Sequence, residues 1–289
     1  MLNVWVTGST GQLGNELKIL SSSYDYRFFF TDRERLDITR SEDVENFIGL
    51  NDIDIIINAA AYTAVDKAEE EKEAADTANH KAIEKLALLA KKHSITLIHI
   101  STDYVFDGKN YRPYVESDAV APQGIYGETK CKGEQALQEI NPKKSIIIRT
   151  SWVYSSFGGN FVKTMLRLGK ERESLGVIFD QVGTPTYARD LAKTILDILP
   201  KIQNDTVEIY HYSNEGVASW YDFAKEIMAM GEIDCKIHPI ETKAYPTPAT
   251  RPHYSLMNKN KIKETFDIEI PYWKESLHKC LHHLGEITT

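Results

Sequence analysis

Long apolar runs are missing from this chain. No segment approaches the roughly 20 consecutive apolar residues that a membrane-spanning helix needs, so no membrane partner is expected. Cysteine is scarce. Cys131, Cys235 and Cys280 are odd in number and lack metal-ligand spacing. That argues against a complete disulfide framework and suits a reducing, cytoplasmic setting. A basic surplus is missing too. Lys and Arg total 34 against 42 Asp and Glu, a formal net charge of −8, so the phosphate contacts that dominate nucleic-acid binding are not expected. No basic leader precedes Leu2-Asn3-Val4-Trp5-Val6, which reads as a first strand and not a signal peptide. His282-His283 has no acidic neighbour at ligand spacing and reads as helix surface. What remains is a globular chain of 289 residues, long enough for one or two domains.

What is present is an alternation of strands and helices. Residues 2–7 are apolar and β-rich. Gly8-Ser9-Thr10-Gly11-Gln12-Leu13-Gly14 follows, then a helical pattern over 12–20. A strand, a glycine turn and a helix in that order make a phosphate-binding geometry, because free N–H groups at a helix start face an anion. Gly8 allows the tight turn, Gly11 lets the backbone approach a pyrophosphate, and Gly14 permits close helix–strand packing. A second strand, 27–31, ends at Asp32, near where a carboxylate accepts hydrogen bonds from an adenosine ribose. Arg33 and Arg35 beside it suit a 2′-phosphate, so NADH and NADPH both stay open. Asp37-Ile38 falls where an adenine would lie. Thr39-Arg40-Ser41-Glu42 reads as a capping box.

The apolar run 53–57 reads as a buried parallel strand. It ends in Asn58-Ala59-Ala60-Ala61-Tyr62-Thr63, small residues that leave room for a ligand at the sheet rim. One long helix is expected over 66–93, with Glu69-Glu70-Glu71 on a solvated face. Strands follow at 96–100 and 145–149. The alternation predicts an α/β fold with a Rossmann-type, doubly wound parallel sheet. Beyond residue 150, helices are expected over 161–168, 187–199 and 220–230, with a strand at 177–179. Pro239, Pro246, Pro248 and Pro252 mark 239–256 as a loop.

The stretch that carries chemistry is Tyr126-Gly127-Glu128-Thr129-Lys130. Four residues apart on a helix place a phenol and an ammonium on one face. A nearby positive charge lowers a phenol's pKa, and such a phenol exchanges a proton with a carbonyl or alcohol oxygen near neutral pH. The spacing alone is also that of an exposed helical turn. Upstream, the hydroxyl of Ser101 or Thr102 ends a strand within reach of the same rim, unless it is spent on local backbone.

The glycine turn, the strand-tip Thr102 and Tyr126-x-x-x-Lys130, in that order, resemble the extended short-chain dehydrogenase/reductases. Longer blocks narrow the likeness. Asn58 to Glu69, Ser101 to Gly108, Arg149-Thr150-Ser151-Trp152-Val153-Tyr154, Asp180 to Thr186 and Pro248-Ala249-Thr250-Arg251-Pro252 are similar to dTDP-4-dehydrorhamnose reductases across nearly the whole chain. The resemblance implies a dinucleotide-binding domain at 1–150. It implies a smaller C-terminal α/β region at 151–289, mainly substrate-binding and discontinuous. The implied reaction is NAD(P)H-dependent reduction of the C4 keto group of a dTDP-linked 6-deoxy-hexulose to dTDP-L-rhamnose. The implied catalytic residues are Thr102, Tyr126 and Lys130. Tyr126 and Lys130 also belong to the implied cofactor set, with Gly8, Thr10, Gly11, Gln12, Leu13, Asp32, Arg33, Asp37, Ile38, Ala59, Ala60 and Ala61. Thr63, Val65, Thr102, Tyr104, Trp152, Asn160 and Arg251 are implied for the dTDP-sugar. Residue chemistry also offers simpler work for three of these: Trp152 as core mass, Asn160 as an N-cap, and Arg251 as a brace for the proline loop.

Some members of that family are associated with Mg²⁺ at a dimer contact. Glu16 stands at one acidic position. Arg189, a cation, stands at the second with Asp190 beside it, which sets the metal and that mode of homodimer against the residues present. Two other readings share the pattern. A nucleotide-sugar epimerase or dehydratase keeps the Tyr and Lys, but a dehydratase needs an Asp-Glu pair where this chain has Asp103-Tyr104. A regulatory subunit of methionine adenosyltransferase resembles the same family without catalysing.

Overall fold

The computed structural model describes residues 1–287. Strand β1 (Asn3–Thr7) leads into α1 (Gln12–Leu20), β2 (Arg27–Phe30), α2 (Ser41–Asn51) and β3 (Ile55–Asn58). Next come the short α3 (Val65–Ala68) and α4 (Lys72–Asp76), a π turn at Thr77–Lys81, and α5 (Ala82–His93). β4 (Thr96–Thr102), α6 (Ile125–Ile140) and β5 (Ile146–Thr150) complete the first half. The second half holds β6 (Val153–Tyr154), α7 (Phe161–Glu171), β7 (Ser174–Ile178), β8 (Val182–Gly183), β9 (Thr186–Tyr187) and α8 (Ala188–Ile198). It continues through β10 (Glu208–His211), β11 (Ala218–Ser219), α9 (Trp220–Met230), β12 (Lys236–Ile240), α10 (Asn260–Phe266) and α11 (Trp273–Leu284).

Six strands form one parallel sheet in the order β10-β5-β4-β3-β1-β2. Alternation along each strand sends apolar side chains to both faces. Val4, Val6, Ile55, Ile57, Ile98 and Ile148 pack on Leu13 and Leu17 of α1, Leu191 and Ile195 of α8, and Ile262 and Phe266 of α10. Trp5, Ile56, Leu97 and Ile147 pack on Val44 and Ile48 of α2, Leu86 and Ala90 of α5, and Leu137 of α6. Helices on both faces make the sheet doubly wound, as the sequence predicts. The strand order reverses between β1 and β3, which opens a crevice above their carboxyl ends. A second core lies in the C-terminal half, where Leu175, Val177 and Ile237 of the β7–β12 pair meet Leu166, Phe223, Ile227 and Leu277. The chain crosses back, however: β10, α8 and α10 complete the first sheet.

Three expectations need correction. The 66–93 helix is broken into three pieces and a π turn. Its breaks let Asn79 turn inward, where the amide accepts from Tyr62 N–H at 2.8 Å and donates to Tyr62 O at 3.1 Å. The capping box at Thr39 is not formed. Asp37 takes the Thr39 N–H at 2.9 Å, so the helix starts at Ser41 after an Arg40 that makes no side-chain cap. The 239–256 stretch is not all loop, since β12 runs through Pro239 to Ile240. A proline is tolerated there because β12 has a neighbour on one side only.

Helix α6 lies close to the π turn because Gly133 has no side chain; a Cβ there would overlap the Asn79 carbonyl oxygen. Gly133→Ala should therefore cost about 1–3 kcal/mol of stability, read by chemical denaturation.

Candidate active site

The β1–α1 turn is pressed against the tip of β3. Gly8 has φ +63°, and a Cβ on it would overlap the backbone of Ala59 and Ala60. A Cβ on Gly14 would overlap the Gly8 carbonyl oxygen. Gly11 is the N-cap of α1 and offers no side-chain partner to the first amides, and no acid sits in that first turn. These amides face a cleft of about 1150 Å³ that runs along the carboxyl ends of β1, β3 and β4. Gly8, Thr10, Gly11, Gln12, Leu13, Asp32, Arg33, Asp37, Ile38 and Ala59 to Ala61 all line it. Asp32 Oδ1 accepts the Arg35 N–H at 3.0 Å. Arg33 is paired with Asp37 at 3.3 Å while its side chain stays 88% exposed.

Thr102, Tyr126 and Lys130 line the same cleft. The two candidate hydroxyls part company. Ser101 turns inward and donates to Glu134, which also holds Arg149 through bonds of 2.6 and 3.0 Å. Thr102 stays at the rim, accepts the Tyr104 N–H at 3.2 Å and donates to Asp103 at 3.0 Å. Burial raises the Asp103 carboxyl to about 6, against hydrogen bonds from Ser255 and Thr102.

Helix α6 sets the Tyr–Lys pair. Its N-cap, Gly124, has no side chain, and Glu69 from beyond α3 takes that role, accepting the Ile125 N–H at 2.9 Å. Glu69 is thus not spare solvated surface. Lys130 is buried, donates to the Ile100 carbonyl at 2.6 Å, and lies 3.3 Å from His99 Nε2. Burial pulls its pKa down to about 8, with Glu134 opposing. The Tyr126 phenol is pushed up to about 12, first by burial and then by Asp103, with a hydrogen bond to Thr102 pulling the other way. The lowering expected from Lys130 is not found: burial sets the direction, and the one opposing cause is Thr102. The ammonium is turned to the strand, and the phenol keeps its proton at neutral pH, as a proton donor must.

Thr63, Val65, Tyr104 and Trp152 also line the cleft. Tyr104 meets Tyr126 edge-on at 5.5 Å. Trp152 has φ +48°, a left-handed backbone that an L residue enters at a cost of about 1–2 kcal/mol. Trp220 stacks on its ring at 3.7 Å and 12°, and its carbonyl accepts the Thr186 N–H of β9. Asn160 and Arg251 stand elsewhere. Asn160 caps α7 by accepting the Lys163 N–H, and donates to Gln12 at 3.0 Å. Arg251 grips Asp66 with two bonds, 3.0 and 2.7 Å.

Comparison with known proteins bears on this site. The family described as the RmlD substrate binding domain matches residues 2–286. A dTDP-4-dehydrorhamnose reductase of Aggregatibacter actinomycetemcomitans is 42% identical over 96% of this chain and 97% of its own length. The chain belongs to this family. The crystal structure of a dTDP-4-dehydrorhamnose reductase from Clostridium acetobutylicum superposes with a TM-score of 0.93 at 40% identity, covering 98% of this chain and all of that one. That of the Bacillus anthracis reductase, in complex with NADP, gives 0.92 at 37% identity over 98% and 99% of the two chains. A dTDP-glucose 4,6-dehydratase at 19% identity shares the fold, with a TM-score of 0.82.

The metal expected of some family members does not fit at Glu16. That carboxylate is fully buried, accepts from Ser155 at 2.6 Å, and has the Arg189 guanidinium 3.8 Å from its other oxygen. Among the described residues no group of three His, Cys, Asp or Glu is disposed to hold a metal ion. Sequence reading missed Glu69, His99 and Trp220. Only the glycine before Ile125 hinted that the α6 start needed an outside acceptor. Glu69→Ala should cost about 0.5–2 kcal/mol and lower turnover, while Glu69→Gln, which keeps an acceptor, should retain most of both; thermal melting and steady-state assays read the two effects.

Proposed function

We propose that the protein reduces the C4 keto group of dTDP-4-dehydro-6-deoxy-L-mannose to dTDP-L-rhamnose, using a reduced nicotinamide dinucleotide. The observation that carries this reading is the convergence of Thr102, Tyr126 and Lys130 on the cleft that begins at the β1–α1 glycine turn. The close relatives that bear the reductase name, and the one that holds NADP, support it.

The turn fits a dinucleotide: its backbone can approach a diphosphate, and the uncapped amides of α1 would meet that charge. Asp32 keeps one oxygen beyond the Arg35 N–H for a ribose, and the exposed Arg33 suits a 2′-phosphate, so both NADH and NADPH are proposed as acceptable. When bound, the cofactor supplies a hydride to the sugar carbonyl carbon. Tyr126 donates a proton to the carbonyl oxygen from a phenol that burial keeps protonated. Thr102, its oxygen held by the Tyr104 N–H, would turn its one O–H from Asp103 to that oxygen and hold it in line. The Lys130 ammonium stabilises the phenolate left behind. Thr63, Val65, Tyr104 and Trp152 are proposed to surround the hexose. Arg251 is proposed for the diphosphate, which would displace Asp66 from the guanidinium, and Asn160 acts at one remove through Gln12. We read residues 1–150 as the dinucleotide-binding part and 151–289 as mainly substrate-binding. A dehydratase is disfavoured because Asp103 has no acidic neighbour in sequence and one of its oxygens is taken by the Thr102 hydroxyl.

The test is NADH and NADPH oxidation, in separate assays, with the keto sugar generated in place from dTDP-glucose. Oxidation should depend on the sugar and yield dTDP-rhamnose. Tyr126→Phe should lower kcat by about 10²–10⁴-fold, and near-normal turnover would remove Tyr126 from the acid role. Arg251→Ala should raise KM for the sugar nucleotide more than it lowers kcat. Turnover should decline as pH rises through about 8, where Lys130 loses its charge.

A further inference from the structure

Three neighbouring strands carry one polar residue each at the same level. Thr7 is in register with Asn58, and Asn58 with His99. Alternation turns all three to the α6 face, one step beyond the apolar Trp5, Ile56 and Leu97. All three are buried. Thr7 Oγ1 donates to Asn58 Oδ1 at 2.6 Å. The Asn58 amide nitrogen meets His99 Nδ1 at 3.0 Å, and His99 Nε2 lies 3.3 Å from Lys130 Nζ. A polar row this deep in a sheet costs stability unless each member is satisfied. The reaction as described above uses none of its strand residues.

We propose that His99 is a positioning residue for Lys130: its ring accepts one ammonium hydrogen, the Ile100 carbonyl takes the second, and the third is left to point into the cleft. This rests on the reductase reading, which gives the third hydrogen its work. An ammonium has three hydrogens and no acceptor, so its direction is set by whichever acceptors hold it. The two acceptors come from adjacent residues of β4. They fix Nζ as a single carbonyl could not.

The row also responds to the charge on Lys130. A charged Lys130 needs a bare Nε2, so the ring hydrogen sits on Nδ1 and Asn58 must offer its oxygen there, with its nitrogen on Thr7 Oγ1. The orientation in the structure, nitrogen towards Nδ1, is the one that matches an uncharged amine. Turning the amide over would cost the Asn58 nitrogen its contact with the Ala60 carbonyl at 3.4 Å, while the Ala60 N–H holds Thr7 Oγ1 at 3.2 Å. The ring itself stays neutral, because burial and the Lys130 charge both push its pKa well below the usual range. The charged and titratable groups that face Lys130 are few. Glu134, on its own helix, is committed to Arg149 of β5; Tyr126 lies one turn earlier on the same helix; β4 contributes His99, and β3 only the neutral Asn58.

Two variants separate positioning from packing. His99→Asn keeps a polar atom near Nδ1 and none near Nε2, whereas His99→Gln keeps one near Nε2. On the full chain, His99→Asn should lower kcat about 10–100-fold with KM for the keto sugar within about twofold. It should move the alkaline limb of the pH profile down by about one unit, since the charged amine has lost an acceptor. It should also weaken NADPH binding severalfold by nicotinamide fluorescence. His99→Gln should recover most of all three. A folded His99→Asn protein with wild-type turnover and an unmoved limb would overturn the assignment. So would equal damage in both variants with the limb unmoved, which marks the ring as core filler. If the wild type itself fails to oxidise NADPH with the sugar, the reductase reading falls alone. NADPH affinity then decides His99: a loss confined to the Asn variant supports the assignment, and equal affinities overturn it.

Discussion

The Lys130 amine has to be held in the interior of this protein, among fixed acceptors. Burial of Lys130 opposes its charge, so the amine survives as an ammonium only where acceptors are fixed in advance. That requirement explains how α6 is seated. Its first amide is closed from outside by Glu69, it leans on the Tyr104 carbonyl through Gly127 and on the Asn79 carbonyl through Gly133, and its lower half is tied to β5 by the Glu134–Arg149 pair. A helix held at three levels presents Tyr126 and Lys130 without relying on their own contacts for its position.

The cleft itself follows from topology. The strand order reverses between β1 and β3, so no crossover covers the sheet there, and residues just past both strand ends are left facing one crevice. Only small side chains or none can occupy the contact between the two tips, hence Gly8 beside Ala59 and Ala60. On the far wall the constraint is the reverse. A large ring, Trp152, is held in a costly backbone conformation by a second ring stacked behind it. Between the walls, the short segment around α3 links both halves of the cleft: Asp66 holds Arg251 of the C-terminal loop, and three residues later Glu69 holds the start of α6.

Much of this was legible in the sequence, because it is written in local patterns. Five of the six sheet strands follow from apolar runs ended by glycine, alanine or hydroxyl residues, and α9 runs over the 220–230 stretch expected of it, behind a capping box at Ser219 that the structure adds. The glycine turn, Thr102, Tyr126 and Lys130 were readable for the same reason. What escaped depends on distance. Strand β10 is four residues with no flanking signal, and it pairs with β5 only because the chain returns. The 66–93 helix has the right periodicity, but it is interrupted at 69–71 and widens to a π turn around an inward-turning Asn79. His99 looks like an ordinary strand residue until its register with Asn58 and Thr7 is known. The direction of the Tyr126 shift could not be read either, since spacing reveals a neighbouring charge but not how deeply the phenol is buried.

The return of β10 has a consequence for dividing the chain. In the intact protein, β5 is an interior strand with hydrogen-bonded neighbours on both sides. A polypeptide that stopped at residue 150 would turn β5 into a bare border, its amides and carbonyls unpaired along Ile146, Ile147 and Ile148. It would also uncover the sheet face that α8 and α10 protect. Such a fragment would present a sticky, strand-hungry edge to its copies, so the N-terminal half is not an independent folding unit.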